Sequence, residues 1–259
     1  MESLLRREAL TRPADVGEIF LHIWRGGMPD AVRANNEERR LYFESYISTW
    51  LMRDVMEIGH VENAVKFRKF LAACAAEVAQ QFNISKLAWI VEIAQQTASA
   101  WLKLLESLNI VYLLQPYFNN RLKRLAKTPK LYFWDTGLCA YLTKWLTPEV
   151  LLAGAASGAF FETFVVTELL KGYSYSSTVP DVSYFRDSNS KEVDLFVQAE
   201  QVIHPLEIKL SARPDKKDVK KFDVIEKAGL QRGSGGIICM CETVSPIDHN
   251  DCLIPARLL

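Results

Sequence analysis

The stretch "EVDLFVQAEQVIHPLEIKL", residues 192–210, sets two carboxylates and an ammonium into runs that are otherwise apolar: Asp194, Glu207 and Lys209. Side chains alternate along a strand, so Glu207 and Lys209 share a face, about 7 Å apart. A hairpin turning at Glu200 and Gln201 would set position 194 opposite 207 and bring Asp194 onto that face. Carboxylates directly opposite one another repel unless a cation lies between them. A hard divalent ion such as Mg2+ or Mn2+ takes oxygen ligands. A lysine two residues on could orient an attacking water or stabilise charge developing on a phosphate. Together these are the parts of a metal-assisted phosphodiester hydrolysis. The plainer reading is an exposed acid-x-Lys pair of small energetic consequence. Glu162, in the preceding helical stretch "SGAFFETFVVTELLKGY", completes the order Glu, Asp, Glu-x-Lys across helix, strand and strand. That order is more specific than any of its parts.

A second cluster has the chemistry of phosphate contact. Between two strand-like runs lies "NNRLKRLAKTPK", with Arg121, Lys123, Arg124, Lys127 and Lys130 and no acid among them, beside Tyr117 and Phe118. Cations so placed suit the edge of a duplex; a solvated loop is the plainer alternative. Lys216, Lys217 and Lys220 of "PDKKDVKK" could add to the same surface. The stretch "QQTASAWLKLLESLNI" offers Gln95, Gln96, Thr97, Ser99 and Lys103, types that can read base edges and are equally ordinary on a helix surface. Cys239, Cys241, His249 and Cys252 do not have zinc-finger or ribbon spacing and read as buried thiols. No phosphate loop of the G-x-x-x-x-G-K-[ST] type occurs; "GSGG" at 233–236 lacks the lysine.

The chain has 259 residues, about half of them hydrophobic, enough for one large domain or two modest ones. Its 31 basic and 31 acidic residues cancel, so a charged partner must be met by a local patch. The five cysteines form no paired framework, and the opening "MESLLRREAL" has no apolar run of signal-peptide length. No membrane span is expected, and a cytoplasmic location is. Residues 1–60 read as helices, with Leu41, Tyr42, Ser45, Tyr46, Thr49 and Trp50 at helical spacings and a turn at Gly26, Gly27 and Pro29. Residues 61–132 have the order helix, helix, turn, helix and basic hairpin, that of a winged helix-turn-helix. Residues 133–259 run helix, three strands, helix and strand, a compact mixed-sheet domain. The fold class expected is thus α/β (α+β).

With those residues in view, the chain resembles the C-terminal region of bacterial and archaeal AAA-type ATPases that carry an uncharacterised C-terminal domain, domain of unknown function 4143. The stretches that carry the resemblance are "RGGMPDAV", "YFESYISTWLMRDV", "LLESLNIVYLLQPYFNNRLKRLAKTPKLYFWDTGL", "GAFFETFVVTELLK", "YFRDSNSKEVDLFV" and "HPLEIKLSA", spread over nearly the whole chain. The resemblance implies a helical remnant of an ATPase lid, a winged helix, and a domain similar to the PD-(D/E)xK restriction-endonuclease-like superfamily. It implies that Glu162, Asp194, Glu207 and Lys209 occupy the nuclease-like core, with Mg2+ or Mn2+ on the three carboxylates. The nucleotide-binding domain of that family is not in this sequence, so ATP hydrolysis by this chain alone is not expected. Fold similarity does not establish function, and three readings stand: a DNA-binding, metal-dependent nuclease-like module; a non-catalytic DNA-binding or regulatory module; and an interaction module that docks an ATPase partner or a second copy through the aromatic helix from Tyr42 to Trp50.

Overall fold

A computed structural model describes residues 6–9, 12, 14–59, 61, 63–117, 128–175, 180–187 and 191–259. The chain divides into two compact units. One comprises Phe20–Leu113 and Lys130–Thr163; the other comprises Met1–Ile19, Leu114–Pro129 and Phe164–Leu259. As the sequence order implies, helices dominate the first part of the chain and a mixed sheet the last. Among the described residues, no helix is long and apolar enough to cross a membrane.

The helical unit is organised by two buried charges. Asp135 precedes helix Thr136–Leu142 and caps it, its Oδ1 accepting from the Leu138 amide at 2.7 Å. Its Oδ2 accepts from the amides of Gly27 (2.7 Å) and Met28 (3.2 Å) in the "RGGMPDAV" turn. Gly26 there has φ +80°, and a Cβ on it would lie 2.4 Å from the Asp135 carboxylate, which accounts for the glycine. Arg39 is buried in helix Asn36–Ser45, which a capping box of Asn35 and Glu38 begins. Its guanidinium lies 3.7 Å from the Trp24 ring centre and donates to the carbonyls of Trp24 and of Gly137. Burial lowers Arg39 to about 10 against the favourable charge of Asp135.

That helix runs into a π-helical turn, Tyr46–Leu51, and then helix Met52–Gly59. The buried face is Phe43, Ile47, Leu51 and Val55, whereas Leu41 and Trp50 are exposed. The aromatic face expected as a surface is partly open: Trp50 is exposed, and Tyr42 and Tyr46 are half-buried. Helices Ala64–Ala76, Ile84–Val91 and Gln95–Ser107 follow, the first two capped by Asn63 and Asn83. Trp101 packs edge-on to Phe67 and Phe70, with ring centres 5.3 and 5.7 Å apart. Strands β1 (Val111–Leu114) and β2 (Lys130–Phe133) pair into a two-stranded sheet. The cations Arg121, Lys123, Arg124 and Lys127 lie outside the described residues, as does Phe118.

In the second unit, β3 (Asp181–Arg186), β4 (Glu192–Ala199), β5 (Val202–Lys209), β6 (Gln231–Arg232), β7 (Gly235–Cys239), β8 (Ser245–Pro246) and β9 (Asp251–Pro255) form one sheet. Its path is β3-β4-β5-β7-β9-β8, with β6 beside β5. The β3-β4-β5 part is antiparallel and the β5-β7-β9 part parallel. The lysine-rich segment expected as one α-helix is a 3-10 helix over Lys216–Phe222 followed by the short α-helix Asp223–Lys227. Val219, Phe222 and Ile225 from it join Val193, Phe196 and Ile237 of the sheet in one apolar core. Tyr117, expected beside a phosphate-binding wing, is in this core instead, its ring edge-on to Phe196.

Candidate functional site

The hairpin β4–β5 turns on two residues, Glu200 and Gln201, with Glu200 at φ +56°. Leu195 pairs with Leu206 and Ala199 with Val202. One further step of the same register sets Asp194 opposite Glu207, as strand alternation had suggested. On its other side β5 is paired with β7, Glu207 facing Ile237 and Lys209 facing Cys239. Glu207 is thereby enclosed by sheet on both sides and is 1% exposed.

The charged groups around Glu207 are in direct contact with it. Its Oε1 accepts from the Lys209 ammonium at 2.7 Å and from the Lys221 ammonium at 2.5 Å. Its Oε2 is buried and, among the described residues, has no hydrogen-bond partner. Asp194 Oδ2 accepts from the Ile208 amide at 2.8 Å, which fixes that carboxylate against the backbone of β5. Burial, and next the negative charge of Asp194, push the Glu207 carboxyl up to about 7, against the pull of Lys221 and Lys209. Burial disfavours the Lys209 ammonium, but its bond to Glu207 and the charges of Glu207 and Asp194 outweigh this and raise it.

Lys221 is the residue that sequence reading missed. It sits in the 3-10 helix beside three exposed lysines, Lys216, Lys217 and Lys220, from which composition does not separate it. Its partner lies 14 positions away in β5, so no local pattern announces the pair. Lys216, Lys217 and Lys220 are exposed, in the same unit as Glu207.

Glu162 belongs to the helical unit, in the first half of helix Ser157–Ser174. Its Oε1 accepts from the Tyr132 hydroxyl at 2.7 Å and from the Lys130 ammonium at 2.9 Å. Lys130 therefore departs from the expectation of an exposed phosphate-binding cation. It is 4% exposed, and its ammonium is bound to a carboxylate. Lys130 and Tyr132 lie two apart on β2, a spacing that puts both side chains on one face.

The polar residues expected on a reading helix are partly on view. Gln95, Gln96 and Lys103 are exposed and Ser99 half-buried, and they line a concavity of about 700 Å3 on helix Gln95–Ser107. Of the cysteines expected as buried thiols, Cys239 and Cys252 are buried but Cys241 is half-buried; all five are free, and His249 is exposed. Among the described residues, no group of three or more His, Cys, Asp or Glu side chains is placed to hold a metal ion. Asp194 and Glu207 are two carboxylates on the neighbouring strands β4 and β5.

Comparison with known proteins agrees with two parts of unequal character. The model for a domain of unknown function (DUF8612) matches residues 17–149, about half the chain. A second, for a domain of unknown function (DUF4143) that is typically found at the C-terminus of AAA-type ATPases, matches residues 157–259. Two mycobacterial proteins, the uncharacterized Mb2031c of Mycobacterium bovis and Rv2008c of Mycobacterium tuberculosis, are each 31% identical over 195 residues. The match covers 74% of this chain and 43% of each relative, so the chain spans less than half the length of these curated relatives. No solved structure matches the chain.

Proposed function

The chain belongs to the DUF8612 family and carries a C-terminal DUF4143 domain, and from that premise and the Glu207 site we propose that it is a DNA-binding, Mg2+- or Mn2+-dependent nuclease-like module of an ATPase-like protein. The observation that carries the reading is the buried Glu207, with Asp194 beside it, Lys209 and Lys221 upon it and one oxygen without a partner.

The residues fit a hard divalent ion. Both donors are carboxylates, they stand on neighbouring strands, and Oε2 of Glu207 is buried with no hydrogen-bond partner among the described residues. Mg2+ commonly takes only one or two protein carboxylates and completes its octahedron with waters and substrate phosphate. When bound, the ion supplies Lewis-acid polarisation of the phosphate and a lowered pKa for an attacking water. The protein's own groups do the rest. Asp194 and Glu207 hold the cation, and the bond from Ile208 N fixes the Asp194 carboxylate. Lys209 lies within reach of a water or phosphate oxygen at the same place and offsets negative charge as it develops there.

Strand capture is assigned to the cations Arg121, Lys123, Arg124 and Lys127, with Lys216, Lys217 and Lys220 added from the sheet unit. The helices Ala64–Ala76, Ile84–Val91 and Gln95–Ser107 with β1 and β2 have the order of a winged helix-turn-helix. The exposed Gln95, Gln96 and Lys103 are its base-facing side. Glu162 is given no part in the reaction, since Lys130 and Tyr132 already occupy its Oε1.

The test is cleavage of plasmid or oligonucleotide DNA with Mg2+ or Mn2+ by the wild type, Asp194→Ala and Lys209→Ala. A metal-dependent activity lost in both variants is expected; identical behaviour of all three sinks the catalytic reading. A second, non-catalytic reading is favoured by one observation: the site has two carboxylates, not three, and two ammoniums already engage one of them. That reading predicts salt-sensitive DNA binding that survives Asp194→Ala and weakens when the 121–127 cations are neutralised.

A further inference from the structure

We infer that the aromatic stripe Tyr42, Tyr46 and Trp50 is a docking surface for an arginine-bearing segment of a partner protein, whose guanidiniums stack on the rings beside Asp30 and Asp54. The inference goes beyond the Glu207 reading and does not depend on it. The stripe steps four positions at a time from helix Asn36–Ser45 into the π-helical turn Tyr46–Leu51. Phe43, Ile47 and Leu51 are buried beneath it, so the rings stand on a fixed base. The Tyr42 and Tyr46 rings are stacked, with centres 6.3 Å apart and planes at 20°. The Tyr42 hydroxyl donates to Met28 Sδ at 3.5 Å. Trp50 ends the stripe and is 56% exposed. Tyr and Trp presented in this way are the side chains enriched where proteins meet. A π-helical turn is rare and is found most often at functional sites; this one carries Tyr46 and Trp50.

The charges beside the rings select the partner. Burial, and then Asp30 and Asp135, raise the Tyr42 hydroxyl; burial, and then Tyr42, Asp135 and Asp54, raise that of Tyr46. The charged groups acting on the two phenols are thus carboxylates. Asp135 is engaged by the amides of Gly27, Met28 and Leu138 and by the charge of the buried Arg39. Asp30 is exposed and, among the described residues, makes no ion pair. Asp54 is shared with Arg53 at 3.4 Å, and the Arg53 guanidinium lies 4.9 Å from the Trp50 ring centre. The indole therefore already takes one guanidinium with a carboxylate beside it, and it stays exposed with that group in place. A guanidinium is planar and weakly hydrated, so it can lie on a ring and pair with a carboxylate at once; an ammonium is a compact, strongly hydrated point charge. A phosphate backbone would meet Asp30 and Asp54 here, so the stripe is unlike the basic segments assigned to DNA.

The test uses the full chain and a fluorescein-labelled Arg-Gly-Gly repeat peptide, titrated by fluorescence anisotropy. The same peptide with lysine for arginine and a labelled proline-rich peptide are run beside it. The arginine peptide should bind more tightly than the lysine peptide and should shift the Trp50 indole N–H resonance. Trp50→Leu should weaken the arginine peptide roughly fivefold, and Trp50→Phe less. Asp30→Asn combined with Asp54→Asn should weaken it about twofold. Trp50 is exposed, so the melting temperature of Trp50→Leu should match the wild type. Arginine and lysine peptides that bind alike and ignore Trp50→Leu would overturn the inference, leaving unspecific attraction to acidic groups. Binding of the proline-rich peptide in place of the arginine peptide would overturn it too. So would self-association that Trp50→Leu abolishes while no peptide binds, since the partner would then be a second copy. None of these outcomes bears on DNA cleavage at Asp194 and Glu207.

Discussion

Asp135 and Glu207 are both carboxylates buried in a folded interior, and they are used in opposite ways. Asp135 commits both oxygens to the amides of Gly27, Met28 and Leu138, tying two segments 108 positions apart. Glu207 has one oxygen in the grip of two lysines and the other, among the described residues, without a hydrogen-bond partner, and the charge of Asp194 acts on it. A buried charge whose bonds are all made holds the fold; one whose charge is contested and whose bonds are incomplete is suited to a ligand. Asp251 is an instructive intermediate. Among the described residues its Oδ1 is also buried without a hydrogen-bond partner, but its Oδ2 is paired with the Arg232 guanidinium, whose charge also acts on Asp248.

The contrast can be broken by mutation. Asp135→Ala removes three hydrogen bonds, the buried one being the helix cap, and should lower the stability of the helical unit by about 4 kcal/mol. Glu207→Gln takes one acceptor from Lys209 and Lys221 but leaves the charge of Asp194 acting on Lys209, and should cost less, about 1 kcal/mol. Urea denaturation followed by tryptophan fluorescence, with circular dichroism as a second probe, distinguishes the two. Equal losses would mean that Glu207 is as structural as Asp135.

The pH dependence sharpens the same contrast. Glu207 has a folded-state value near 7 against an ordinary 4.5, so the folded protein holds this proton more tightly than the unfolded chain. Its contribution to stability is full below about 4.5 and is lost as pH rises through about 7, with an upper bound of about 3 kcal/mol. Between those values, stability of the wild type should fall more steeply with rising pH than that of Glu207→Gln. Coincident profiles would remove the case for a strained carboxylate.

A smaller effect tests the strand-binding surface. Neutralising Arg121, Lys123, Arg124 and Lys127 together should reduce the salt slope of DNA binding by roughly 0.9 for each phosphate left without its cation. Glutamine at Lys130 should leave that slope unchanged, since its ammonium is buried on Glu162. A change at Lys130 as large as at Lys123 would contradict its placement.

What sequence reading could supply followed from strict periods. Side chains alternate with period two, and the Glu200–Gln201 turn then leaves one register for Asp194 and Glu207. The division into helices followed by a mixed sheet was legible for the same reason. The π turn Tyr46–Leu51 was not legible, since its residues keep the spacing of an ordinary helix. Lys130, Arg39 and Lys221 were not legible as what they are. Each is a cation whose partner is fixed by packing between distant segments, and a cation in isolation reads as surface. Tyr117 failed likewise: beside a basic loop it suggests a wing, and only the sheet unit's core explains it.

The most direct test of the central claim is where Mn2+ binds. In the presence of a short DNA duplex, paramagnetic broadening of amide resonances should be confined to residues around Asp194 and from Leu206 to Lys209, and should vanish in Glu207→Gln with the remaining spectrum unchanged. Broadening that persists in Glu207→Gln, or that centres elsewhere on the chain, would contradict the account.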